Sequence, residues 1–248
     1  MNSQAFTVTL MISNQSKVMI TGASDGLGKA LTLAIASKYS CSLAICGRNE
    51  AKLKETVRAI HTVNPCVKVF AACFDVTDDE CSYAFIRNAQ EALGDIDILI
   101  NNAGANIKKD LVENIDLNDL RYMLNLNCVS PLIFIQGVLP HMKEVGDGHI
   151  INILSSVCKH SIENSGAYSA SKHAMDILHQ ILLKEVRESH IKVTGIYPGG
   201  INTNFRTNVR EDYMHPKTVA NTILAVLECE DDAVVHELVL RPFVENNF

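Results

Sequence analysis

The chain has 248 residues, 47% hydrophobic and 20% charged, which supplies apolar material for a substantial core and argues against global disorder. Its net charge of −6 argues against nucleic acid or an anionic membrane as the main partner, since either calls for a basic surface. The eight cysteines show no C-x-x-C pair and no Cys/His ligand spacing, and most sit inside apolar runs; this predicts reduced thiols, a cytoplasmic setting and no metal site.

Residues 1–16 have no basic leader region and only a short apolar run, so they read as a lead-in to one domain over 17–248. Residues 17–23 (KVMITGA) predict a short buried strand and 28–38 a helix. Between them Gly22, Gly26 and Gly28 alternate with Ser24, Asp25 and Leu27. A strand passing through glycines into a helix presents backbone N–H groups and a positive helix end to phosphate. Residues 41–46 (CSLAIC) predict a second strand, ending at Gly47, Arg48 and Asn49. In a dinucleotide-binding fold this strand end meets the adenosine ribose, where an acid selects NAD and an arginine accommodates a 2′-phosphate. Arg48 is present and no acid stands at the turn; the alternative is a solvated arginine at a helix start.

A helix over 50–63, a strand over 67–74, a helix over 79–93 and a strand over 96–100 follow, the last running into Asn101, Asn102, Ala103 and Gly104. Such alternation predicts right-handed βαβ units and a parallel sheet. Residues 116–143 form a long apolar helical segment with Asn127 in its middle. Pro131 has no N–H for the Asn127 carbonyl and should bend the helix, so Asn127 reads either as a structural amide at a kink or as a functional one. A fifth strand over 149–155 ends at Ser155 and Ser156. In the amphipathic helix over 166–187, Tyr168 and Lys172 stand one turn apart on the same face. A nearby ammonium favours the phenolate, bringing a group that ordinarily titrates near pH ~10 towards neutrality. Tyr213 and Lys217 repeat the spacing, interrupted by Pro216. A sixth strand over 191–197 leads into Pro198, Gly199, Gly200, Ile201, Asn202 and Thr203. A short polar segment (204–214) carrying Arg206 and Arg210, expected to be solvated, precedes a helix over 216–227 and a strand over 237–240.

Together these blocks resemble the short-chain dehydrogenase/reductase family in its compact form, over residues 17–242. TGASDGLG (21–28) is similar to its cofactor loop, NNAG (101–104) to its strand-four motif and YSASK (168–172) to its active-site motif; INILSS (151–156) and YPGGINT (197–203) fit its other blocks in order. The resemblance implies an α/β fold, a doubly wound parallel sheet of Rossmann type with about seven strands and helices on both faces. It implies hydride transfer between NADP(H), with NAD as the alternative, and a carbonyl or secondary alcohol of a small polar substrate. Tyr168 would be the general acid/base, and Lys172 would lower its pKa and bond the nicotinamide ribose. Ser156 would hold the substrate oxygen, with Ser155 its rival. Asn127, with Asn125 its rival, would seat a water in a relay reaching Lys172. Asp75 and Val76 would face the adenine, and Asn102, Ala103 and Gly104 the adenosine and nicotinamide side. Pro198, Gly199, Ile201 and Thr203 would line the nicotinamide end, while Asp25 would repel a 2′-phosphate. The helices over 116–143 and 167–189 would pair into a homodimer or homotetramer. A cofactor-binding regulator without turnover is the other class, but none of Asn127, Ser156, Tyr168 and Lys172 is missing.

Overall fold

Short apolar strands, the five central ones buried on both faces, alternate with amphipathic helices, the pattern of a covered parallel sheet. The computed structural model describes residues 11–203, 205 and 210–246. In order these form β1 (Lys17–Ile20), α1 (Gly26–Lys38), β2 (Ser42–Gly47), α2 (Glu50–Val63), β3 (Lys68–Cys73), α3 (Asp79–Leu93) and β4 (Ile98–Asn101). There follow α4 (Leu117–Leu124), a π-helical turn (Asn125–Val129), α5 (Ser130–Val145), β5 (Gly148–Ile153), α6 (Gly166–Glu185), β6 (Ile191–Pro198), α7 (Pro216–Leu227) and β7 (Glu237–Leu240).

The seven strands pair in parallel in the order β3-β2-β1-β4-β5-β6-β7, so the doubly wound expectation is met. Alternate residues of each strand feed two cores. Val18, Ile20, Ile98 and Ile100 pack with Leu31 and Ile35 of α1, Ile60 of α2 and Ile223 of α7. Met19 and Leu99 face Phe85 of α3, Phe134 and Val138 of α5 and Met175 of α6. The strand order reverses between β1 and β4, which opens a crevice at their carboxyl ends.

Several boundaries differ from the sequence expectation. The first strand ends at Ile20, and α1 starts at Gly26 because Asp25 Oδ1 caps it, accepting from the Gly26 N–H at 2.8 Å. The long segment over 116–143 is helical throughout, but its middle turn is a π turn, where the Ser130 N–H reaches back to the Asn125 carbonyl, immediately before Pro131, which cannot donate. The stretch Leu117–Val145 is apolar and long enough to cross a membrane, yet more than half of its apolar window is buried, and α5 packs on α3, β4 and β5. Residues 11–16 are anchored rather than frayed: Ile12 is buried and its N–H donates to the Leu227 carbonyl at 3.1 Å. Cys66, Cys73 and Cys81 are exposed, against the expectation of apolar surroundings, while Cys41, Cys46 and Cys128 are buried; all eight thiols are free.

Candidate active site

The loops after β1 and β4 are stitched together across the crevice. The Thr21 N–H donates to the Ile100 carbonyl at 3.1 Å, and the Asn102 and Ala103 N–H groups both donate to Thr21 Oγ1 at 3.0 Å. Asn102 Nδ2 returns two bonds, to the carbonyls of Thr21 (2.9 Å) and Gly22 (3.1 Å). Thr21 was not among the expected site residues, although a hydroxyl at a strand end beside a glycine loop is a readable signal. The glycines fit a close backbone crossing. Gly22 has φ +68°, and a Cβ on Gly28 would stand 2.2 Å from the Gly22 carbonyl oxygen.

These loops, with the ends of β2, β3, β5 and β6, line a cleft of about 1200 Å³. Gly22, Ser24, Asp25, Gly26, Leu27, Gly28, Arg48, Val76, Asn102, Ala103 and Gly104 lie along it, and so do Ser156, Tyr168, Lys172, Pro198, Gly199, Ile201 and Thr203. Two expected site residues are not in its wall. Asp75 closes a turn in the loop before α3, its Oδ1 accepting from the Thr77 N–H (3.0 Å) and hydroxyl (2.8 Å). Asn127 is completely buried behind Gly104.

At one end of the cleft, Arg48 Nη1 donates to the Tyr122 hydroxyl at 2.6 Å and lies 3.5 Å from Asp75 Oδ2. Asp25 is not a lone carboxylate. Its second oxygen pairs with Lys52 Nζ on α2, which also lines the cleft and which the sequence reading passed over.

At the other end, Tyr168 is 8% exposed, packed with Met123, Val157 and Ala167, with the Phe205 ring 6.1 Å away edge-on. Lys172 is buried beneath it, and Nζ donates to the Ile153 carbonyl at the end of β5 at 2.8 Å. Burial pushes the Lys172 pKa down to about 8, opposed by the nearby Cys158 sulfur. The two serines separate by their bonding. Ser155 Oγ accepts from the Val157 N–H at 3.3 Å, whereas the Ser156 hydroxyl has no hydrogen bond among the described residues and faces the cleft.

Both amide hydrogens and the oxygen of Asn127 are engaged. Nδ2 donates to the Ala105 carbonyl (2.9 Å) and to Ser171 Oγ (3.0 Å), and Oδ1 accepts from the Ala105 N–H (3.1 Å). Gly104 is wedged between this amide and the lysine: a Cβ there would stand 2.8 Å from Asn127 Oδ1 and 3.2 Å from Lys172 Nζ. The rival Asn125 instead ties the π turn to the loop between β3 and α3, donating to the Thr77 carbonyl at 3.2 Å. The second Tyr/Lys pair is not on one helix, because α7 starts at Pro216 and Tyr213 lies before it, under Arg210. Arg210 is exposed and held bidentate by Asp212 at 2.8 and 2.7 Å; Arg206 lies outside the described residues.

A family profile described as short chain dehydrogenase matches residues 16–214. The chain belongs to the short-chain dehydrogenase/reductase family. An uncharacterised oxidoreductase of Staphylococcus saprophyticus is 31% identical over 236 residues, covering 94% of this chain and all of that protein. The mouse dehydrogenase/reductase SDR family member 7B is 35% identical over 193 residues, 77% of this chain and 59% of that protein. Among solved structures, an alcohol dehydrogenase of the archaeon Thermococcus sibiricus, complexed with 5-hydroxy-NADP, has a TM-score of 0.86 at 24% identity, covering 94% of this chain and 98% of that one. Family membership makes the chain an oxidoreductase acting on small molecules with a nucleotide cofactor, and the glycine cradle and α1 terminus suit the phosphates of one.

Proposed function

We propose that the protein transfers hydride between NADP(H) and a carbonyl or secondary alcohol of a small polar substrate. The observation that carries this reading is the arrangement of Tyr168, Lys172 and Ser156 in the wall of one cleft with the glycine loop. When bound, the nicotinamide supplies the hydride. The chain's own residues do the rest. Ser156, whose hydroxyl has no hydrogen bond among the described residues, orients the substrate oxygen. The Tyr168 phenol gives that oxygen its proton in reduction and removes it in oxidation. Lys172 stays largely protonated at neutral pH with a pKa of about 8, and its charge favours the phenolate. Asn127 acts through its main chain: both amide hydrogens and the oxygen of its side chain are engaged, and Pro131 supplies no N–H to its carbonyl, which holds a relay water. Turnover of a panel of small carbonyl compounds with NADPH and NADH tests this reading, and a protein that binds dinucleotide but turns over none of them would be the regulator.

The NADP preference rests on charge. Arg48 stands at the cleft rim, and the repulsion expected from Asp25 is offset by its pairing with Lys52. The Thermococcus relative was solved with an NADP derivative. A charge-assisted arginine–phosphate contact contributes about 1.5–3 kcal/mol, or roughly ten-fold or more in the specificity constant. Arg48→Asp should therefore reverse the preference in kcat/KM. Equal use of both cofactors by the unaltered protein would instead mean that Arg48 stays on Tyr122 and Asp75.

The assembly we propose is a two-fold homodimer or homotetramer. Ile177 and Ile181 form an exposed apolar stripe on α6, 54% and 45% accessible, and Val129 on the adjoining π turn is also exposed. Ile177→Glu with Ile181→Glu should convert the species seen by light scattering at micromolar concentration to monomer. An unaltered protein that is already monomeric would refute the proposal.

A further inference from the structure

The end of the chain folds back to the mouth of the cleft. After β7, residue Glu245 closes a turn on Pro242, its N–H donating to the Pro242 carbonyl at 3.1 Å. Its side chain then reaches the loop that follows β6. Oε1 accepts from the Gly200 N–H at 2.8 Å, and Oε2 pairs with Arg241 Nε at 3.1 Å. The pair is largely shielded, with side-chain exposures of 7% for Arg241 and 18% for Glu245, and Glu245 itself lines the cleft.

The loop is shaped to receive this carboxylate. A Cβ at Gly199 would stand 2.3 Å from Glu245 Oε2, so the glycine leaves the space that the carboxylate occupies. On its other side the loop is held by main-chain bonds, Asn202 N–H to the Met214 carbonyl (2.9 Å) and Met214 N–H to the Gly200 carbonyl (3.1 Å). The Gly200 amide is thus clamped on both its polar atoms, the carbonyl by residue 214 and the N–H by Glu245. A shielded carboxylate beside a dinucleotide would ordinarily repel its phosphates; Arg241 neutralises this one.

We infer that Glu245 is a positioning residue for the nicotinamide half of the cofactor: with Arg241 it fixes the Gly200 amide, and through it the presentation of Ile201 and Thr203. The inference rests on the cofactor reading above and adds a residue outside every block of family resemblance. It separates the two halves of the ligand, because the same reading assigns residues 198–203 to the nicotinamide half and Arg48 to the adenosine half.

The test is equilibrium binding to the full chain. NADPH and adenosine 2′,5′-bisphosphate, which lacks the nicotinamide half, are titrated into the unaltered protein, Glu245→Ala and Glu245→Gln. Glu245→Ala should weaken NADPH about ten-fold, the scale of one charge-assisted hydrogen bond, and leave the bisphosphate within about two-fold. Glu245→Gln keeps an acceptor for the Gly200 N–H and should recover most of the NADPH affinity. Unchanged NADPH affinity in Glu245→Ala overturns the inference, and so does an equal loss for both ligands, which would mark a general loosening of the fold. An unaltered protein that binds neither ligand overturns the cofactor reading itself and the inference with it.

Discussion

Tyr168→Phe is expected to lower turnover by roughly two to four orders of magnitude while leaving dinucleotide affinity within a few-fold. The substitution keeps a ring that is 8% exposed and packed on Met123 and Val157, so the fold should be unaffected. What is lost, in the proposed mechanism, is the proton given to the substrate oxygen. Tyr213→Phe is the matched control, since Tyr213 also lines the cleft but is backed by Arg210 and Gly200 rather than by a buried lysine. Equal kinetics in the two variants would remove Tyr168 from the mechanism.

Lys172→Met is expected to lose turnover to a similar degree with little loss of stability. A buried ammonium whose pKa falls from 10.5 to about 8 costs the native state about 3 kcal/mol relative to an exposed one. Removing it relieves that cost but strands the Ile153 carbonyl, which costs about 1–3 kcal/mol, so the two effects nearly cancel at neutral pH. The pH dependence carries the signature. Between pH 8 and 10.5 the unfolded chain holds the lysine proton more tightly than the native one, so raising the pH stabilises the native state. Urea unfolding across that window should show the unaltered protein gaining about 2–3 kcal/mol relative to Lys172→Met in the absence of cofactor. Parallel curves would mean that the lysine is solvated.

What could be read from the sequence was what sits close together in it. Tyr168 and Lys172 share one helix, and the strand-glycine-helix order around Gly22, Gly26 and Gly28 is continuous, so both were legible. So was the sheet, because each strand is a short apolar run between amphipathic helices. Contacts between distant segments were not. Lys52 reaches Asp25 from 27 residues away, Arg48 meets Tyr122 across 74, and Glu245 meets Gly200 across 45. Only the packing of α2, α4 and the chain end around the cleft brings these together. The different bonding of Ser155 and Ser156 was not legible either, since the capping of the next turn by the Ser155 hydroxyl depends on the local backbone. Pro131 signalled a break near Asn127, but an irregular helix and a bent one look alike in sequence; the π turn depends on where the Ser130 N–H finds its carbonyl.

Hydride transfer itself is tested most directly by isotope. NADPH carrying deuterium at the reactive face of nicotinamide C4 is incubated with the protein and whichever small carbonyl compounds it reduces, and the alcohols are analysed by mass spectrometry and NMR. The arrangement around Tyr168 predicts deuterium on the carbinol carbon, from one face of the nicotinamide only, and no detectable deuterated alcohol from Tyr168→Phe at the same short time. Product without deuterium at that carbon, or no consumption of NADPH or NADH with any carbonyl compound, would contradict it.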